Sequence, residues 1–187
     1  MKALSLVQPM AHAIVALPSH LCKDIENRTW LPPDSLLGQR FAIHAGLAWG
    51  AARFPWPTDV PVISRADCEF GCVVGVATLL GWFNAEHGDE VGFAVMAETR
   101  PNPELYRRVS NPMANRWWLG PVGWLLGKVQ RLPEPVPCRG YQKLWNLPKL
   151  VEAKVLEQLG SDVNGSTSSE EAEKGVGDKA LRGGARR

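Results

Sequence analysis

Cys72-Val-Val-Gly-Val-Ala-Thr-Leu-Leu80 is the stretch on which the fold turns. It is apolar almost without interruption and rich in β-branched residues, which is how a strand buried on both faces reads. Gly75 in its interior marks a place for a bulge. Phe41–Ala45 has the same character, and Val122–Gln130 is a third candidate, with Pro133–Pro137 expected as an extended connector after it. Ala3–Val7 reads as a first strand, closed by Gln8-Pro9. Asp24–Trp30 alternates, with Glu26, Arg28 and Trp30 on one face and Ile25 and Thr29 on the other, the period of a strand. Met10, Ala13, Ile14, Leu17 and Leu21 form one helical stripe after Pro9, and Pro18 should end or bend that helix. Pro148–Leu159 reads as an amphipathic helix with Leu150, Val151, Val155 and Leu159 on its apolar side. Strands dominate and short helices decorate them. The predicted class is therefore α+β, mainly β, a closed or half-closed barrel in preference to a doubly wound sheet.

Size and composition agree with a single globular unit. The chain has 187 residues, 45% of them hydrophobic and 21% charged, enough apolar material for a core and too little charge for a disordered chain. The net charge of +2 is too small for a polybasic nucleic-acid surface. No apolar run approaches the roughly 20 residues of a membrane helix. Lys2-Ala-Leu-Ser-Leu-Val follows Met1 without the pattern of a secretory signal, so a cytoplasmic location with no membrane association is expected. The 4 cysteines do not make a disulfide framework in a chain this long. From Gly160 onward Gly, Ser, Glu and Lys take over, and residues 160–187 are expected to be a disordered tail, either solvated or a segment that binds nucleic acid or a partner. The expected organisation is a domain over 1–147, a C-terminal helix over 148–159 and that tail.

Most catalytic motifs are missing: no phosphate-binding Gly-rich loop, no nucleophile elbow, no His-Glu-x-x-His. Cys68 and Cys72 are too loosely spaced, with no second pair, to mark a zinc site, so no metal or cofactor is expected. His12, His20 and His87 read as surface residues. Asn115-Arg116-Trp117-Trp118 mixes cation and ring as single-strand binders do, phosphates held by charge and bases by stacking. The same tryptophans also fit plain packing beside a Gly-Pro turn.

Lys23-Asp-Ile-Glu26-Asn-Arg28-Thr-Trp30 is the densest chemistry in the chain. Glu26 and Arg28 share a strand face and Lys23 enters from the preceding turn, so the three can line one pocket mouth. Lysine there serves as proton shuttle or anion contact, glutamate as base or amide acceptor, arginine as a planar clamp. Read without context, Glu26 and Arg28 are equally an exposed ion pair.

Taken together, Leu4-Ser-Leu-Val-Gln8-Pro9-Met-Ala11, Lys23-Asp-Ile-Glu26-Asn-Arg28-Thr-Trp30 and Ala42-Ile-His44-Ala45 resemble the signature of the ASCH domain family. Val73-Val-Gly75-Val-Ala-Thr, Gly123-Trp124-Leu-Leu and Pro135 to Trp145 are similar to its later blocks, in order, over about residues 3–147. Met10 stands where the family usually has tryptophan, and Cys22 where glycine precedes the lysine. The resemblance implies a PUA-like β-barrel with short flanking helices, binding RNA or a modified nucleoside in a cleft beside the barrel. It places Lys23 and Glu26 as candidate catalytic residues and Arg28, Trp30, His44, Arg116, Trp117 and Trp118 as candidate binding residues. His44 is equally readable as a core histidine. Some small bacterial members hydrolyse N4-acetylcytidine with a lysine, a threonine three residues later and a glutamate. Lys23 matches that lysine, but Glu26 occupies the threonine's place, and Thr29 falls on the opposite strand face. Glu26 activating a water beside Lys23 is the variant that would remain. The classes in play are a nucleic-acid-binding module, a small amidohydrolase or ribonuclease, and a protein-interaction domain.

Overall fold

The computed structural model describes residues 1–50, 54–85 and 114–165, with backbone alone for 161–165. The elements in chain order are β1 (Lys2–Gln8), α1 (Met10–Val15), β2 (Ile25–Arg28), β3 (Arg40–Trp49), β4 (Cys72–Asn84), β5 (Val122–Pro137), β6 (Leu144–Asn146) and α2 (Lys149–Gly165), with single 3-10 turns at Asp34–Leu36 and Arg65–Asp67. The strands form one six-stranded sheet in the order β2-β5-β4-β3-β1-β6. β1 runs parallel to β3 and every other pairing is antiparallel. Among the described residues no ladder joins β2 to β6, so the mainly-β class holds while the sheet is not closed by hydrogen bonds.

The apolar runs of the central strands have a simple cause: both faces of the sheet are covered. On β3, Phe41, Ile43 and Ala45 enter one buried cluster with Leu4, Ile14, Leu79 and Trp124. Ala42, between them, enters a second with Val73, Val76, Leu132 and Trp145, which α2 covers with Val155 and Leu159. A third cluster gathers Met10, Ala13, Ile25, Phe83 and Trp117 beside α1. The β4–β5 register slips between Val73 and Gly75, where the bulge was expected. A Cβ on Gly75 would lie 2.7 Å from the Gln130 carbonyl oxygen and 2.7 Å from Val15 Cγ1, so only glycine lets the end of α1 settle on this strand.

Several expected boundaries move. α1 stops at Val15, short of Leu17 and Leu21, because Pro18 disfavours helical geometry in the residue before it. Leu17 and Leu21 still pack on the third cluster, as a turn. Pro133–Pro137 is no connector but the end of β5, where it pairs Cys72 and Val73. Leu150 is 81% exposed, so the buried stripe of α2 is Val151, Val155 and Leu159 at i, i+4 and i+8. α2 also continues to Gly165, since backbone hydrogen bonds carry it past its last core contact. The tail expected from residue 160 is thus helical at its start. The remainder, like His87, lies outside the described residues. No described helix is long and apolar enough to cross a membrane.

Candidate functional site

The short edge strand β2 delivers the charged cluster. Its pairing with β5 sets Glu26 opposite Trp124 and Arg28 opposite Val122, so the two charged side chains emerge on one face. The turn before it is tied at both ends: Lys23 N–H donates to the Ala13 carbonyl at 2.8 Å, and the Asp24 carbonyl accepts from Leu126 N–H at 2.8 Å. Lys23 is thereby pushed inward, and its side chain is only 3% exposed. Its ammonium donates to the Ile25 carbonyl and, at 2.6 Å, to Glu26 Oε2. Glu26, 8% exposed, holds its other oxygen 3.1 Å from Arg28 Nε. That last contact is an ion pair by distance, but the Nε–H does not aim at the oxygen and is buried without a hydrogen-bond partner.

The electrostatics follow from burial. Desolvation draws the Lys23 ammonium below the ordinary lysine range, and the adjacent Glu26 carboxylate opposes the shift. The pair is neutral in sum. Arg28 is left as the net positive charge of the site, its Nη2 reaching toward the Ser5 carbonyl on β1 at 3.5 Å, at the limit of a hydrogen bond.

Two adjoining cavities meet at Arg28. The inner one, about 160 Å3, is lined by Lys23, Glu26, Arg28, Ser5, Met10 and Phe54 among others. The outer one, about 530 Å3, runs past Arg28, Thr29, Trp30, Phe54 and Leu119. Asn27 secures the far wall: Nδ2 donates to the Trp117 carbonyl and Oδ1 accepts from Leu119 N–H, both at 2.8 Å. Trp30 packs edge-on against Trp124, ring centroids 4.8 Å apart, and the Trp124 Nε1–H donates to its carbonyl at 3.3 Å. Thr29 is on the rim of the outer cavity and away from the Lys23 pocket.

The structure brings Lys23, Glu26, Arg28 and Trp30 together and leaves the other candidates elsewhere. Trp117 is 4% exposed, edge-on to Trp56 at 5.2 Å, with its Nε1–H given to the Leu21 carbonyl. Trp118 lies against Phe83 at 4.5 Å, and Arg116 is held by Asp59 at 2.6 Å. Trp117 and Trp118 thus pack on other rings, one of the two readings the sequence left open; aromatic area is better used against other rings than left in water. His44 is 1% exposed and lines a different cavity. His12, expected on the surface, is half-buried, with Nδ1 buried and unpartnered. Asn27, Phe54 and Leu119 escaped the sequence reading. Leu119 had a signal in the Gly120-Pro121 turn beside it; Phe54 had none, since its place depends on a loop.

Among the described residues no group of three or more His, Cys, Asp or Glu side chains is gathered to hold a metal ion. No family model matches the chain. No curated protein matches it either. Solved structures do: ASCH from Zymomonas mobilis is similar at 18% identity, with 83% of this chain and 93% of that one covered and a TM-score of 0.44. A point mutant of the same protein is similar at 17% identity, 83% and 96% coverage and a TM-score of 0.43.

Proposed function

We propose that this chain is a PUA-like domain of the ASCH kind that binds RNA or a modified nucleoside in the cleft between β1 and β2. The observation that carries the reading is the buried chain Lys23–Glu26–Arg28, in which lysine and glutamate satisfy one another and the arginine keeps donors for a ligand. An inner cavity of about 160 Å3 is below the ~300 Å3 at which small-molecule sites begin, so it takes one ring and not a whole nucleotide. The outer cavity, with Trp30 and Phe54, then holds the sugar and the phosphate attached to it. Arg28 meets a ring carbonyl or a phosphate oxygen, a charge-assisted contact worth about 1.5–3 kcal/mol. Calorimetric titration with cytidine, N4-acetylcytidine and a short RNA tests this. Arg28→Gln should weaken the binding ligand by at least about tenfold. Equal affinity of variant and wild type, or no binding of any of the three, would sink it.

The depressed lysine favours a second reading. A buried lysine paired with a carboxylate can hold or move a proton: Glu26 takes a proton from a water that attacks the acyl carbonyl, Lys23 donates to the oxyanion, and as the C–N bond breaks the proton passes to the departing cytosine amine, giving cytidine and acetate. Cytidine released from N4-acetylcytidine by wild type and not by Lys23→Ala would establish it. Intact substrate after prolonged incubation with wild type would remove it.

A further inference from the structure

We infer that the separate cavity over His44 is a second binding site, for a planar ring carrying an anionic group, of the nucleoside-monophosphate kind. Its volume of about 700 Å3 falls within the ~300–1,000 Å3 of small-molecule sites, unlike the inner cleft beside Lys23. Two of its lining rings, His44 and Tyr141, pack on Trp145. His44 lies edge-on to Trp145 at 5.6 Å, Trp145 edge-on to Tyr141 at 5.2 Å, and the Arg139 guanidinium sits over the Tyr141 ring at 5.5 Å. Trp145 Nε1–H donates to Ser5 Oγ at 3.1 Å and fixes that stack to β1.

Each end of the stack has an unmet polar capacity. His44 Nε2 lies 3.1 Å from the Cys138 carbonyl, which only accepts, so Nε2 carries the proton and Nδ1 is a bare acceptor. That Nδ1 is buried and unpartnered, in a residue 1% exposed. The Gly140 backbone lies close against it: a Cβ there would come within 2.6 Å of Nδ1 and 2.8 Å of Ser5 Oγ. At the rim no ion pair engages Arg139 among the described residues, and stacking on Tyr141 leaves the edge of its guanidinium donors open. Tyr141, 52% exposed, and Leu47, 78% exposed, supply the apolar surface between. The flat apolar wall and the cation at its rim fit a ring and a phosphate.

Uridine and adenosine monophosphate, their nucleosides and inorganic phosphate are the probes, titrated into the full chain by calorimetry. The monophosphates should bind more tightly than the nucleosides, and Arg139→Gln should weaken them at least about tenfold. Tyr141→Ala should weaken nucleoside and nucleotide alike. Both positions are on the surface, and unchanged melting temperatures confirm that the variants fold. In an Arg28→Gln background, where the other cleft is disabled, the monophosphates should still show the binding that Arg139→Gln removes, so this site and the Lys23 cleft fail separately. A 5′-phosphorylated trinucleotide beside its 5′-hydroxyl form separates sources: preference for the phosphorylated end places an RNA terminus here, and binding of mononucleotides alone places a free nucleotide. No saturable binding of either monophosphate in the millimolar range, or wild-type affinity in Arg139→Gln, overturns the inference.

Discussion

Removing either member of the Lys23–Glu26 pair strands a charge that is largely withdrawn from bulk water. With side chains 3% and 8% exposed, each depends on the other for its solvation. Breaking such a pair from one side costs about 3–5 kcal/mol, whereas replacing both members with well-packed neutral groups can be nearly neutral. Lys23→Met and Glu26→Gln alone should each lower the urea midpoint strongly. The double variant should lose much less than the sum of the two, and strict additivity would show that the ion pair does not form. His44 makes a second prediction. Burial holds its imidazole below the ordinary histidine range, and the Cys138 carbonyl only partly opposes this. As pH falls through about 6.5 the unfolded chain takes up its proton first, so stability is lost in that window. His12, held low by burial as well, adds to the same slope. The stability lost between pH 7 and pH 5 should shrink in His44→Gln, measured as midpoints at each pH; an unchanged loss would assign the slope to other groups.

Strand β2 is short, yet it organises the cleft because Asn27, between Glu26 and Arg28, faces away from the charged pair and holds a distant segment. Asn27 uses both ends of its amide on the backbone of Trp117 and Leu119. Asn27→Ala would leave one donor and one acceptor of that segment unmet, a cost of about 1–3 kcal/mol each where they are buried. Asn27→Asp keeps the acceptor for Leu119 N–H and loses the donor to the Trp117 carbonyl. Ligand affinity in the outer cavity should therefore fall in the order wild type, Asp, Ala, as Leu119 drifts from the rim; equal affinities would mean that the 117–119 segment does not shape the site. Alternation from Asp24 to Trp30 was enough to place Glu26 and Arg28 on one face, because strand period is a local property. Nothing local could reveal the Asn27 clamp, whose partners lie about 90 residues away. The same holds for the tryptophans: Asn115 to Trp118 reads alike whether its rings meet Trp56 and Phe83 or a nucleobase. The apolar runs made the central strands legible, while their ends were set by tertiary pairing, as when β4 recruits Pro137 into β5.

At the scale of the whole molecule, the sheet curls far enough for its β2 edge to meet β1. Arg28 reaches toward Ser5 although β5, β4 and β3 lie between their strands in the hydrogen-bonded order. The cleft is a product of that curl, so the residues lining it come from both ends of the sheet, and sequence proximity could supply only the β2 half. The overall charge is modest, +2, and several of the described basic residues are neutralised by neighbours: Arg116 by Asp59, Arg131 by Glu69, Lys23 by Glu26. Arg28 and Arg139 are the cations that the two cavities present. A single strand held by so few phosphate contacts releases few counterions. The slope of log affinity against log salt should then be near −0.7 per phosphate, thus about −1 to −2 for an RNA spanning the cleft. Arg28→Gln should flatten it by about one phosphate's share. A slope of about −4 or steeper would require several further cations, and would move the principal RNA contact from the cleft to a broad basic surface.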